Sequence, residues 1–326
     1  MQGKEPSERT TKIKFNVGID VSKSWLDVHV LACGETLRVS NSAEGIRRLK
    51  RWLRRFDVTL VVMEATGKWH RPLHRSLFGS AIPVAVVDPY RVRMFAKAQG
   101  ILAKTDRLDA RVLAQFAAVM APGVRPPAPE LMQELAELVC ARDGAVAEET
   151  ALKNQLSAAT VTFLKRQLDR RIVRIAKDIA ALEQEIHQRI AADEALARRY
   201  AILTSITGFG PVVVPTLIAC LAELGTCNRR QISMLAGLAP VADDSGERKG
   251  ARVIWGGRPA VRRCLYLAAL AAARHSPEMK AFFLRLTASG KPAKVAIIAV
   301  ARKLVVLANT LIAENRPYTP QPPIFA

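Results

Sequence analysis

The chain has 326 residues, half of them hydrophobic, which is long enough for two domains with real cores and excludes wholesale disorder. Lysine and arginine number 49 against 29 aspartates and glutamates, and the resulting charge of +20 exceeds what solubility requires and favours a polyanion, DNA or RNA, as partner. With aromatic residues at 6%, base stacking is not expected to be the main way that partner is read.

Residues 1–14 form a basic polar arm without the features of a signal peptide, so the protein is expected in the cytoplasm. FNVGID and WLDVHVLA, joined by a short polar turn from Phe15 onward, predict a hairpin. Ser42 caps a predicted helix running through Arg55, VTLVVME and IPVAVVDP read as buried strands, and another helix starts near Tyr90. These elements predict an α/β domain with a mixed sheet over residues 15–127, closed by the proline-rich PGVRPPAPE. Residues 128–199 read as long helices, in which Leu168, Ile172, Ile175, Ile179, Leu182 and Ile186 recur at alternating steps of four and three. Such a heptad seam predicts an antiparallel helical hairpin or a coiled coil between subunits, with packing against its own domain as the alternative.

Residues 200–316 are predicted mainly helical, interrupted by a polar, glycine-rich stretch from Ala242 to Pro259 that reads as a long loop or small ribbon of the kind that tends to be functional. Residues 317–326 form a proline-rich tail, expected to be extended. The most apolar late stretch, Val295 to Ala301, stops at Arg302 and Lys303, short of the about 20 residues of a membrane span, so none is expected. Cys33, Cys140, Cys220, Cys227 and Cys264 lack C-x-x-C spacing and are expected to be reduced, mostly core thiols.

Asp20 and Glu64 stand where predicted strands run out, and Asp106 and Asp109 share one face at a predicted helix start. Four converging carboxylates repel one another unless cations offset them, and Mg²⁺ is the ion that prefers such oxygen ligands. Taken alone, the D-x-x-D pair is also an ordinary solvated first turn. Gly208 and Gly210 in SITGFGP would let backbone N–H groups approach a phosphate, or would simply make a turn. His70 and His74 are spaced i, i+4 but lack a third ligand, so a phosphate contact or a wet surface is expected rather than zinc. Ser245 lies in a polar turn, and Arg248, Lys249 and Arg252 beside it could hold a phosphate.

GIDVSKSWLDV, MEATG and KTDRLDA, in that order, resemble the RuvC-like, ribonuclease-H-type domain of a family of insertion-sequence transposases described as RNA-bridged serine recombinases. SITGFGP, LAGLAP, the Ser245-Gly246 loop, and Arg262 or Arg263 before Leu265 and Tyr266 are similar to that family's second domain. The resemblance implies a fold of α/β plus all-α type: a RuvC-like mixed-sheet domain, a long helical or coiled-coil region and a mainly helical transposase domain. It further implies that Asp20, Glu64, Asp106 and Asp109 bind Mg²⁺ and that Ser245 is the nucleophile. The implied partners are donor and target DNA and a guide (bridge) RNA, in a prokaryotic, nucleoid-associated dimer or tetramer with composite active sites. Three other readings stay open. One is a Mg²⁺-dependent nuclease or junction resolvase using water. Another is an actin-like sugar kinase or ATPase, which should carry a second glycine-rich phosphate loop that the sequence lacks. The last is a non-catalytic nucleic-acid scaffold.

Overall fold

The computed structural model describes residues 14–103, 105–242, 244–246, 248–250 and 252–319, and at Asp106, Arg107, Arg248 and Lys249 the backbone alone. The predicted arm up to residue 13 and the tail beyond residue 319 lie outside the described residues. The chain divides into two compact units, 1–128 and 129–326.

In the first unit β1 (Phe15–Val21), β2 (Trp25–Val30) and β3 (Thr36–Ser40) form an antiparallel meander. α1 (Ala43–Leu53) follows, its first turn capped by the Ser42 hydroxyl, which accepts from the Gly45 amide. β4 (Val58–Glu64) then returns parallel to β1, α2 (Arg71–Phe78) leads to β5 (Val84–Val87), parallel to β4, and α3 (Pro89–Ala98) and α4 (Asp106–Met120) complete the unit. The strand order is β3-β2-β1-β4-β5. The expected mixed sheet is therefore present, with a third meander strand and α2 that the sequence reading did not resolve, while α1 ends at Leu53 rather than Arg55.

Alternation assigns the two faces of this sheet. Ile19, Val61 and Met63 point into a core with Leu49 and Leu53 of α1 and Leu73 and Leu77 of α2. Leu60 and Val62 point to the opposite face, where Leu113, Phe116 and Ala117 of α4 cover them.

The second unit opens with α5 (Glu130–Ala158) and α6 (Thr162–Ala192), which fold back on each other across three residues. Along the heptad seam, Leu168 and Ile186 are buried and Ile172, Ile175, Ile179 and Leu182 half-buried, so the seam is used within the chain as a helical hairpin. Arg142 clamps it by donating to Glu183 from Nε and Nη2 at 2.9 and 2.8 Å. α7 (Glu194–Thr204), α8 (Val213–Cys220), α9 (Arg229–Leu235), α10 (Pro259–His275), α11 (Pro277–Ala288) and α12 (Ala293–Ala313) build the rest. α12 is long and apolar enough to cross a membrane by length and composition, a test the stretch Val295 to Ala301 alone was not expected to pass. It is nevertheless seated as a core helix, with Ala296, Val300, Leu304, Ala308 and Leu311 buried against α10 and its neighbours.

All five cysteines are free, but only Cys264 is buried, its thiol pushed up to about 12 chiefly by desolvation. Cys33 and Cys140 are exposed because one sits in the turn after β2 and the other on the outer side of α5, which corrects the expectation of mostly core thiols.

Candidate active site

The first candidate site grows from the register of three strands. Ile19 stands opposite Met63 in the parallel β1–β4 pair, so Asp20 and Glu64, the next residues, stand side by side where adjacent strands run out, Glu64 as the last residue of β4 and Asp20 one residue before the end of β1. Each lies two residues beyond a position on the α4 face, Gly18 and Val62 respectively, so both carboxylates project to that face. Both are half-buried.

α4 supplies the third carboxylate through an unusually close approach. A Cβ on Gly18 would lie 2.0 Å from the Ala110 carbonyl oxygen and 2.3 Å from the Ala114 amide nitrogen, so only glycine lets this helix lie so low on β1. Asp109, one residue before Ala110, is thereby carried to the end of the sheet where Asp20 and Glu64 stand. Thr105 starts α4 by accepting from the Leu108 amide at 3.3 Å, which puts Asp106 in the first helical turn; its side chain lies outside the described residues.

Among the described residues no three His, Cys, Asp or Glu side chains are gathered closely enough to hold a metal ion. The backbone thus brings the four predicted positions to one end of the sheet, while a closed ligand set is not drawn together there. The donor chemistry, carboxylate oxygen throughout, fits a hard divalent cation. The sequence reading passed over Asp27, which pairs with Asp20 across β1 and β2 on the same face and forms an ion pair with Arg38 at 3.7 Å. Its place inside GIDVSKSWLDV was the available signal.

Basic and aromatic groups flank this end of the sheet. Lys23 and Lys68 both approach the Trp69 ring, at 5.8 and 5.5 Å from its centroid. His70 and His74 are not on a wet surface: His74 is buried and its Nε2 donates to the Arg125 carbonyl at 3.0 Å, pinning the segment after α4 to α2. Burial lowers the pKa of both imidazoles, so the folded unit favours their neutral forms. The unfolded chain then binds more protons below the ordinary imidazole value near 6.5, and the stability these residues contribute is complete above that value and is lost as pH falls below it toward the lowered folded values. The urea midpoint of the first unit should therefore drop between pH 7.5 and 5.5, and His70→Gln/His74→Gln should flatten that dependence; an equally steep profile in the double variant would refute the assignment.

The second candidate site is the ribbon between α9 and α10, where β6 (Pro240–Val241) pairs with β9 (Val253–Ile254) and β7 (Asp244–Ser245) with β8 (Arg248–Lys249). The register Ser245 to Arg248 makes a two-residue hairpin, and Gly246 takes φ +57°, the positive region such turns require. Ser245 is exposed at its tip. Asp244 beside it accepts from Arg252 Nη1 and Nη2 at 2.6 and 2.8 Å and from the Gly250 amide at 3.1 Å, and the guanidinium holds its carboxyl below the usual range. Arg252 is therefore committed to Asp244 here, while the Arg248 and Lys249 side chains lie outside the described residues. The ribbon's base is fixed: Arg258 donates to both Glu223 carboxylate oxygens at 2.6 Å, and Arg262 donates to the Gly256 carbonyl at 2.8 Å.

Of the two glycines considered for phosphate, Gly208 has φ +96° and a Cβ there would lie 2.5 Å from the Ala268 carbonyl oxygen, so it lets the SITGFGP turn pack against α10. Gly210 faces open space.

Comparison with known proteins bears on both sites. Residues 17–163, which span the four carboxylate positions, match a DEDD-type family model of the IS110 group described as a transposase, and residues 200–284, which span the ribbon, match one described as transposase IS116/IS110/IS902 family. The chain is 26% identical over 315 residues to a pilin gene-inverting protein of Moraxella bovis, covering 94% of this chain and 98% of that protein. It is 27% identical over 393 aligned positions to a 44.8 kDa protein of insertion element IS116 from Streptomyces clavuligerus, covering 94% of this chain and 97% of that one. An IS900 protein of Mycobacterium paratuberculosis is 30% identical over 189 residues, 55% of this chain and 44% of that protein. A DEDD-type domain implies dependence on a divalent metal. In order along the chain, residues 17–163 and 200–284 are thus similar to two transposase family models of the IS110/IS116 group.

Proposed function

We propose that this protein is a DNA recombinase that moves or inverts DNA by cutting and rejoining strands through Ser245. The observation that carries the reading is the joint occurrence, in one chain, of carboxylate positions converging at a sheet end and an exposed serine at the tip of a firmly based ribbon, each inside a transposase-family match. The Moraxella relative's designation as a gene-inverting protein supports rejoining as well as cutting.

In this reading the Ser245 Oγ–P bond forms as one P–O bond to deoxyribose breaks, and the serine proton is released while the leaving oxygen gains one. The phosphoserine conserves the energy of the phosphodiester, so the reverse step rejoins DNA without ATP. Asp20, Glu64, Asp106 and Asp109 would hold Mg²⁺, which supplies stabilisation of charge developing on the phosphate oxygens. Arg248 and Lys249, and Arg252 once exchanged from Asp244, position the phosphate beside the hydroxyl. A guide RNA that pairs donor and target DNA, and a dimer or tetramer in which one protomer's serine works with another's metal site, complete the proposal. The family resemblance supports both the RNA and the assembly, and the +20 charge supports the RNA.

The test is incubation of the purified protein and its copurified RNA with labelled DNA, followed by denaturing electrophoresis. The expected result is a protein–DNA adduct that survives denaturation and is absent in Ser245→Ala. Free cleaved ends at undiminished yield in that variant would establish a water-using nuclease instead.

A further inference from the structure

Beside the serine ribbon lies a cleft of about 570 Å³ between β9 and the start of α12. Its apolar wall is Val253, Val295 and Ile298, the first two more than half exposed, and its rim carries Arg252, Lys294 and Arg302. Among the described residues no acidic side chain lines it. Arg252 is satisfied by Asp244, whereas Lys294 and Arg302 are exposed and have no ion-pair partner among the described residues.

An apolar wall beside the unpaired cations Lys294 and Arg302 matches an unstacked nucleotide, whose base is apolar on its faces and whose phosphates are anionic. Paired duplex DNA keeps its base faces stacked inside and would offer this wall no base face to lie against. Arg252 fixes which strand this is, because the same guanidinium lines the cleft and holds Asp244, the residue before Ser245. We infer that this cleft takes an unpaired nucleotide of the DNA strand that Ser245 attacks, with its base against Val253, Val295 and Ile298 and its flanking phosphates on Lys294 and Arg302. The inference rests on the proposed role of Ser245 for the identity of the strand, but the binding itself needs no chemistry. Holding one base out of the stack would fix the register of the scissile phosphate at the ribbon tip, a positioning role for residues some forty positions beyond the ribbon in the chain.

Measuring binding in the full-length Ser245→Ala protein separates this inference from the catalytic one. A fluorescein-labelled oligo(dT) and the same strand with abasic sites are titrated over a series of salt concentrations. Lys294→Gln/Arg302→Gln, both surface changes that spare the core, should weaken oligo(dT) binding about tenfold at low salt and reduce the log–log salt slope by roughly 1.4, two contacts at about 0.7 each. Val295→Ser should shrink the preference for the intact over the abasic strand by at least about threefold while leaving the salt slope unchanged. An unchanged slope in the double variant, or an unchanged base preference in Val295→Ser, would overturn the inference whether or not Ser245 forms an adduct.

Discussion

Asp20→Asn is expected to lower DNA joining about a thousandfold, equivalent to about 4 kcal/mol of lost transition-state stabilisation at one decade per 1.36 kcal/mol. The expectation follows from position: Asp20 stands one residue before the end of β1, beside Glu64 at the end of β4 and on the face that α4 covers. Asparagine keeps the shape but halves the set of strong oxygen donors at that position and removes a negative charge, which weakens the hold on a divalent cation. Asp27→Asn is the matched comparison, since Asp27 faces Asp20 across the hairpin but is engaged by Arg38. Its effect should stay below about tenfold, as expected for a charge outside the proposed ligand set. Joining of a donor–target plasmid pair, followed across a Mg²⁺ titration, reads both. If Asp20→Asn joins within tenfold of the unaltered protein at every metal concentration, the carboxylates at this sheet end do not serve the reaction.

What could be read from the sequence follows from how local each signal is. FNVGID and VTLVVME announce themselves as short apolar strand runs and the D-x-x-D as a helix start, and Asp20, Glu64 and Asp109 stand near their ends. TLRVS alternates Thr36, Arg38 and Ser40 with Leu37 and Val39 but was missed because only two apolar residues carry the period, and RPLHRSLF because a proline near its start hides a two-turn helix. The seam of α6 was visible, but its partner was not: the same spacing serves a second subunit or the neighbouring helix, and in the chain α5 takes it. Gly18 looked like one more small residue in a strand, and its significance appears only once Ala110 is seen lying on it. Likewise, the cleft beside the ribbon depends on Val253 meeting Val295, residues on separate elements whose encounter no local pattern encodes.

Gly18 also sets the second large expected effect. Gly18→Val places a Cβ where the Ala110 oxygen is 2.0 Å away and the Ala114 nitrogen 2.3 Å, both backbone atoms that no rotamer change can withdraw, so α4 as a whole must lift from β1. Overpacking of this kind costs about 3 kcal/mol, which for a unit of this size lowers the melting temperature by roughly 6–12 °C. The same displacement carries Asp109 away from Asp20, so the loss of joining should exceed what reduced stability explains. Leu49→Ala separates the two consequences, because Leu49 is fully buried on the opposite face of the sheet and its truncation costs about 2–5 kcal/mol while leaving the α4–β1 contact alone. Assayed well below both melting temperatures, where each variant is folded, Leu49→Ala should join DNA at close to the normal rate and Gly18→Val at least about a hundredfold more slowly. Equal rates in the two variants would mean that the seating of α4 on β1 supports the fold but does not place the carboxylates.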